Sequence, residues 1–230
     1  MISAIRTALL SLFYPRTCSM CKCYIGEDEK VICESCLHSL PRTEQAEVKQ
    51  NITEMALAEE KHLERAGAFL FYEKGHPIQD AILAMKYADR PEIGYALGRQ
   101  AAIEWQYTDF FDEIDIIMPM PLHPKRLRER GYNQSEYIAR GISEITGIPV
   151  DTTHLARVRN TPKQAMQEGN ERKQNVAQAF AVNHPEQLYR KHILIVDDLI
   201  TTGETMKACM KAMHRCRGAK YSAFALCKAL

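Results

Sequence analysis

The tightest constraint on this chain is a run of four aliphatic residues, Ile193-Leu-Ile-Val196, that passes straight into two carboxylates, Asp197 and Asp198. An unbroken apolar run of this length suits a strand buried on both faces of a parallel sheet. Leu199-Ile200 then leads to Thr201-Thr202-Gly203-Glu204-Thr205, which opens a helix expected from Glu204 to Arg217. In an open α/β sheet, ligands bind beyond the carboxyl ends of the strands. The first turn of a helix offers unpaired N–H groups and the positive end of its dipole, which together suit a phosphate. Gly203 allows close backbone approach, and the threonine hydroxyls add hydrogen bonds. Adjacent carboxylates just upstream can accept from the two hydroxyls of a ribose. The plain alternative is a threonine cap beside two solvated acids; each residue alone fits it, but the ordered run does not.

The rest of the chain supports the same class. Ala68–Tyr72 reads as a short strand, and Ile78 to about Trp105 as helical with a break near Arg90-Pro91. Ile114–Met118 is a strand closed by Pro119-Met-Pro121, and Asn133 to Ile145 is a helix stopped by Gly147-Ile-Pro149. Val150 to about Val158 and Tyr221–Cys227 read as strands, while Val176–Phe180 is a short segment of open type. Alternating strands and helices predict an α/β domain with a mainly parallel sheet flanked by helices. That domain is expected over residues 67–230, after a Glu- and Lys-rich helical connector over 43–66.

Residues 1–42 are read as an N-terminal helix and a metal module. Ile2, Ile5, Leu9, Leu12 and Phe13 recur at helical spacing, and no small-x-small cleavage site follows. A docked amphipathic helix is therefore expected, not an export signal. Cys18-x-x-Cys21, eleven residues, then Cys33-x-x-Cys36 is a pair of knuckles at ribbon-like spacing. Such pairs let Cys18, Cys21, Cys33 and Cys36 present four thiolates to one structural Zn²⁺, leaving no open position for chemistry. Cys23 is read as a bystander, Cys209 and Cys216 as packed helix residues, and Cys227 as strand core. Clustered cysteines, and no run near the eighteen or so apolar residues of a membrane span, point to a reduced, cytoplasmic setting without a span.

The net charge of +1 excludes a polycation, so any nucleic-acid binding must come from a local patch. Lys125, Arg126, Arg128 and Arg130 fall within six positions, with prolines before them and Gly131 after. The breakers predict that part of this stretch is loop. Arginine forks match phosphate oxygens, so the segment suits a pyrophosphate or a nucleic-acid backbone better than a merely solvated charge run. His123 is read as a surface residue, and Trp105, Tyr107, Phe110 and Phe111 as core, although such rings can also stack bases.

The 193–205 run resembles the 5-phosphoribosyl-1-pyrophosphate (PRPP) signature of type I phosphoribosyltransferases. The resemblance implies that fold, Asp197 and Asp198 facing the ribose hydroxyls, and Thr201, Thr202, Gly203, Glu204 and Thr205 wrapping the 5′-phosphate. In 6-oxopurine transferases the position of Thr201 carries an aspartate that exchanges a proton with the base. Threonine has no such acid–base capacity near neutral pH, which disfavours hypoxanthine or guanine as acceptor. Arg128-x-Arg-Gly-Tyr-Asn-Gln-Ser135, Lys86-Tyr87, Arg159-x-Thr-x-x-Gln164, Arg172-x-x-Asn175 before Ala179-Phe180, and the cysteine cluster together resemble the ComF family. That family consists of competence-associated phosphoribosyltransferase-like proteins. Membership implies a role in DNA uptake and transformation, alongside a helicase-like competence ATPase. It also implies that Asn133, Gln134, Arg159, Gln164 and Arg172 contribute to the site, the last three from a segment over it.

Two functions follow. One is phosphoribosyl transfer from PRPP with Mg²⁺, with Asp197 and Asp198 in the catalytic role and the basic residues 125–130 taking the pyrophosphate. The other is a non-catalytic accessory that binds single-stranded DNA and keeps PRPP only as a ligand. PRPP synthesis fits poorly, because the chain is short for it and shows no separate ATP site.

Overall fold

The computed structural model describes residues 16–26, 31–159 and 179–229. The expected N-terminal helix, Gln164, Arg172, Asn175 and most of the segment 176–180 lie outside them. The elements run α1 (Glu34–His38), α2 (Ile52–Leu57), β1 (Leu63–Tyr72), α3 (Ile78–Tyr87), α4 (Glu92–Trp105), β2 (Ile116–Pro119), α5 (Pro124–Arg130) and α6 (Gln134–Thr146). They continue with β3 (Leu155–Arg157), β4 (Phe180–Val182), β5 (His192–Ile200), α7 (Glu204–Met213) and β6 (Lys220–Ala229).

Four strands form a sheet in the order β1-β6-β5-β2, every neighbour parallel. The pleat explains the aliphatic run. Along β5, Leu194 and Val196 face one side, where they pack with Met85, Leu97, Trp105 and Ile138 of α3, α4 and α6. Ile193 and Ile195 face the other, with Met206, Met210 and Met213 of α7. Both faces are covered, so every residue of the run must be apolar. Helices α4 and α6 meet closely at Gly98 and Gly141, where an added Cβ would stand 2.3 Å from the Ile138 carbonyl oxygen or 2.2 Å from that of Tyr95.

The chain leaves β2 and β5 in opposite directions. Beyond β2 it passes through α5 and α6 to Val150, which bridges Ile117 on the outer side of β2, whereas β5 leads through α7 to β6. The crevice between the carboxyl ends of β2 and β5 is therefore the switch point of the sheet, the usual ligand position in such folds.

Several elements differ from the sequence expectation. The connector helix shrinks to α2, because Asn51 caps it (accepting from the Thr53 and Glu54 N–H groups) and its amide donates to the carbonyls of Gln45, Val48 and Ala66. That network holds 45–51 as turns. Strand β1 starts at Leu63, five residues earlier than expected. Its charged Arg65 is satisfied by Glu54 at 3.3 Å, by the Ala46 carbonyl at 2.6 Å and by Asp109. The basic segment forms a regular helix, α5, with Pro124 at its first turn, His123 accepting from the Lys125 N–H at 3.2 Å, and Gly131 closing it at φ 84°. Loop is confined to its flanks. The strand expected over 150–158 reduces to β3, paired antiparallel with β4. Trp105, Phe110 and Phe111 pack in the core as expected, while Tyr107 is 87% exposed. Cys209, Cys216 and Cys227 are buried.

A candidate ribose-phosphate crevice and a four-cysteine cluster

Strand β5 extends past the acids, since Leu199 and Ile200 still pair with Cys227 and Lys228 of β6. Asp197 and Asp198 thus sit inside the ladder, and the two-residue period turns them to opposite faces. Asp198 is buried, and its Oδ2 lies 3.1 Å from the Lys86 ammonium at the end of α3. Asp197 accepts from the Ser135 hydroxyl at 3.2 Å and from the Asp198 N–H at 2.8 Å. Burial first, then the neighbouring Asp198 carboxylate, pushes the Asp197 carboxyl up to about 7. The two acids therefore differ: Asp198 is paired to a cation, while Asp197 has its pKa raised. Beneath them, burial first and then Asp197 push the Cys209 thiol up, and burial first and then Asp198 push up that of Cys227.

Beyond the acids, Thr201 and Thr202 are exposed and Gly203 adopts φ +80° as the cap of α7. Gly203, at the N-cap, brings no side-chain hydrogen bond to the first turn of α7. A Cβ on Gly203 would stand 2.8 Å from the Leu57 side chain of α2, so the glycine is required by a protein neighbour as well as by its dihedral angle. The Lys228 ammonium donates to the Thr201 carbonyl at 2.8 Å, and burial holds this amine below its ordinary range. Glu204 pairs with Lys207 at 2.7 Å, along its own helix. Thr205 is half-buried.

Lys86, the partner of Asp198, also lines a cleft of about 450 Å³, together with Tyr87, Asp89, Arg126, Glu129, Arg130 and Tyr132. Arg130 donates to the Gln134 side chain, and its guanidinium stands 5.7 Å over the Tyr87 ring. Lys125 and Arg128 are exposed on the same helix but do not line the cleft. Asn133 caps α6 through the Ser135 N–H and donates to the Met120 carbonyl at 3.0 Å, which fixes the loop after β2. Buried Gln134 starts that helix. Arg159 is exposed at the edge of the described residues, its N–H donating to the Ala179 carbonyl at 3.4 Å.

Sequence reasoning missed three side chains here. Lys86 was visible only as part of the Lys86-Tyr87 pair, and Ser135 only as the last residue of the Arg128–Ser135 motif. Arg157, at the end of β3, stacks its guanidinium 5.4 Å over Phe180. Burial first, then the like charge of Arg126, lowers its pKa, and Asp197 acts in the opposite sense. Arg126 and Asp197 are thus both near enough to Arg157 to act on its charge.

The cysteine cluster is independent of this crevice. The sulfurs of Cys18, Cys21, Cys33 and Cys36 all lie within 4.8 Å of one another, with Cys21 and Cys33 at 3.7 Å. A tetrahedral Zn²⁺ with bonds of about 2.3 Å requires sulfurs about 3.8 Å apart, so the residues fit that ion. Cys18 also accepts from the backbone N–H groups of Met20 and Cys33, at 3.4 and 3.3 Å, as a thiolate ligand would. Cys23 is exposed and outside the cluster. Cys18, Met20, Val31, Ile32 and Leu40 share one core with Phe69 and Leu70 of β1, so the module is packed on the sheet domain.

The phosphoribosyl transferase domain family matches residues 133–229. The chain is 31% identical over 157 residues to the DNA utilization protein YhgH of Escherichia coli K12, covering 67% of this chain and 68% of that protein. It is 35% identical over 103 residues to competence protein F of Haemophilus influenzae, covering 44% of each. Among solved structures it is similar to glutamine PRPP amidotransferase from B. subtilis (19% identity, 63% of this chain and 30% of that one, TM-score 0.43). With a four-stranded parallel sheet flanked by helices, an acid pair at its switch point and a four-cysteine cluster packed on its edge, the chain belongs to the ComF family of phosphoribosyltransferase-like proteins.

Proposed function

We propose that the crevice holds PRPP, with residues 201–205 around the 5′-phosphate, Asp197 and Asp198 toward the ribose hydroxyls, and Arg126 and Arg130 toward the diphosphate. The observation that carries this reading is an acid pair that the chain leads on to the N-terminus of α7, and that Lys86, 3.1 Å from Asp198, joins to a cleft lined by two arginines. As the bond from C1 to the diphosphate breaks, positive charge develops on the ribose and negative charge on the leaving group. The carboxylates stabilise the first and the guanidinium groups the second. The oxygens of the acid pair already engage Ser135, the Asp198 N–H and Lys86, which suits a Mg²⁺ held mainly by the ligand's own phosphates. When bound, Mg²⁺ supplies further charge compensation to the departing diphosphate. The four cysteines hold a structural Zn²⁺ in this reading.

We place the reaction in DNA handling, in line with the names of the Escherichia and Haemophilus relatives. Incubating the protein with PRPP, Mg²⁺ and a panel of bases, amines and oligonucleotides should release pyrophosphate with at least one acceptor. Release no faster than from the Asp197→Asn/Asp198→Asn variant would rule out catalysis.

The exposed Lys125 and Arg128 of α5 favour a second reading, a single-stranded-DNA-binding accessory that uses PRPP as a ligand. It requires DNA affinity that falls steeply with salt and weakens in Arg128→Ala. Salt-insensitive or absent binding removes it.

A further inference from the structure

We propose that Lys86 is a direct contact for the ligand's diphosphate, reached from the same ammonium that holds Asp198, so that one residue ties the ribose end of the site to its anion end. The inference rests on the PRPP reading above and deepens it. Lys86 comes from α3, outside both the 193–205 run and the basic helix.

The geometry carries the argument. The Lys86 and Asp198 side chains are only 9% and 8% exposed, and their charged atoms stand 3.1 Å apart. Yet Asp198 Oδ2 receives no hydrogen bond of acceptable alignment, so the contact is an ion pair seen from the side. An ammonium has three N–H donors, and buried donors are rarely left unused. Among the described residues, Asp198 is the one partner found for this ammonium, while Lys86 also lines the 450 Å³ cleft shared with Arg126 and Arg130. The spare donors therefore open on the cleft, beside two guanidinium groups. Asp89 and Glu129 line the same cleft, two carboxylates against the three cations, so the lining keeps a net positive charge. A diphosphate next to the ribose is the chemistry that would take the spare Lys86 donors while standing beside the two guanidinium groups.

Two roles have to be separated: Lys86 as a mere counter-ion for Asp198, and Lys86 as a ligand contact. Ribose 5-phosphate and PRPP separate them, because only PRPP carries the diphosphate. Replacing Lys86 alone would leave Asp198 buried and unpaired, so the decisive comparison is Asp198→Asn against Lys86→Met/Asp198→Asn, in which no lone charge remains. Melting curves establish that both variants fold. Calorimetric titration with each probe at fixed Mg²⁺ gives the preference for PRPP over ribose 5-phosphate. We expect Asp198→Asn to weaken both probes and keep the wild-type preference. The double variant should lose about tenfold or more of that preference, the effect of one charge-assisted hydrogen bond. A preference that survives intact in the double variant overturns the proposal and leaves Lys86 a counter-ion. Wild-type protein that binds neither probe overturns the PRPP reading itself, and the inference with it.

Discussion

The cysteine cluster and the ribose-phosphate crevice hold their polar groups in opposite ways. In the cluster, four sulfurs converge to within 4.8 Å and the nearby backbone N–H groups are turned onto Cys18, so the ligand set is complete within the chain. In the crevice, the groups are separated: an acid pair inside a strand, a helix N-terminus capped only by Gly203, and an open cleft lined by Lys86, Arg126 and Arg130 with two carboxylates. The first arrangement closes around one small ion and belongs to the fold. The second leaves donors and acceptors directed at space, which suits a ligand that comes and goes.

The largest expected effect tests the closed site. Structural zinc contributes about 10–16 kcal/mol of apparent binding energy in small modules, and the cluster's apolar residues share a core with β1. Cys18→Ser should therefore abolish the single zinc per chain measured by metal analysis and lower the melting temperature of the whole protein. Cys23→Ser should change neither. A full-stability Cys18→Ser protein would mean that the module does not support the sheet.

A smaller effect comes from Asp197. Its carboxyl is raised to about 7 from an ordinary value of about 3.9, so the native state keeps a proton that the unfolded chain has lost. The resulting stability is fully present below about pH 4 and is lost as the pH rises through about 7. Between pH 5 and 8 the melting temperature of the wild type should fall relative to Asp197→Asn, the difference cancelling effects common to both. Parallel curves would show that the carboxyl is ionised throughout.

The smallest effect sharpens the contrast from the open side. Arg128 is exposed on α5 and removed from the cleft, so Arg128→Ala should change stability by no more than about 0.5 kcal/mol in a denaturant titration. A larger loss would place that charge in the service of the fold.

Much of this was legible in the sequence because the signal was local. The aliphatic run before Asp197, the Thr-Thr-Gly turn and the paired cysteines each carry their meaning within a few positions. What escaped depends on partners far apart in the chain. Lys86 stands out in the sequence only within the Lys86-Tyr87 pair, with no role attached, until folding brings it to an acid 112 positions away. Leu63-Glu-Arg reads as the end of a charged connector until Glu54 and Asp109 neutralise Arg65 and allow a strand there. The helix α5 escaped because Pro124 and Gly131 were read as breakers, whereas here they mark its beginning and end.

The contact between Leu57 and Gly203 has a consequence for how this family can be dissected. The stretch matched by the phosphoribosyl transferase domain, 133–229, contains the turn but not the Leu57 side chain beside it, nor the strands β1 and β2 that flank its sheet. The family match and the sheet therefore have different boundaries. A fragment cut at the limits of that match would have a raw sheet edge on either side and would lack Leu57 beside its turn.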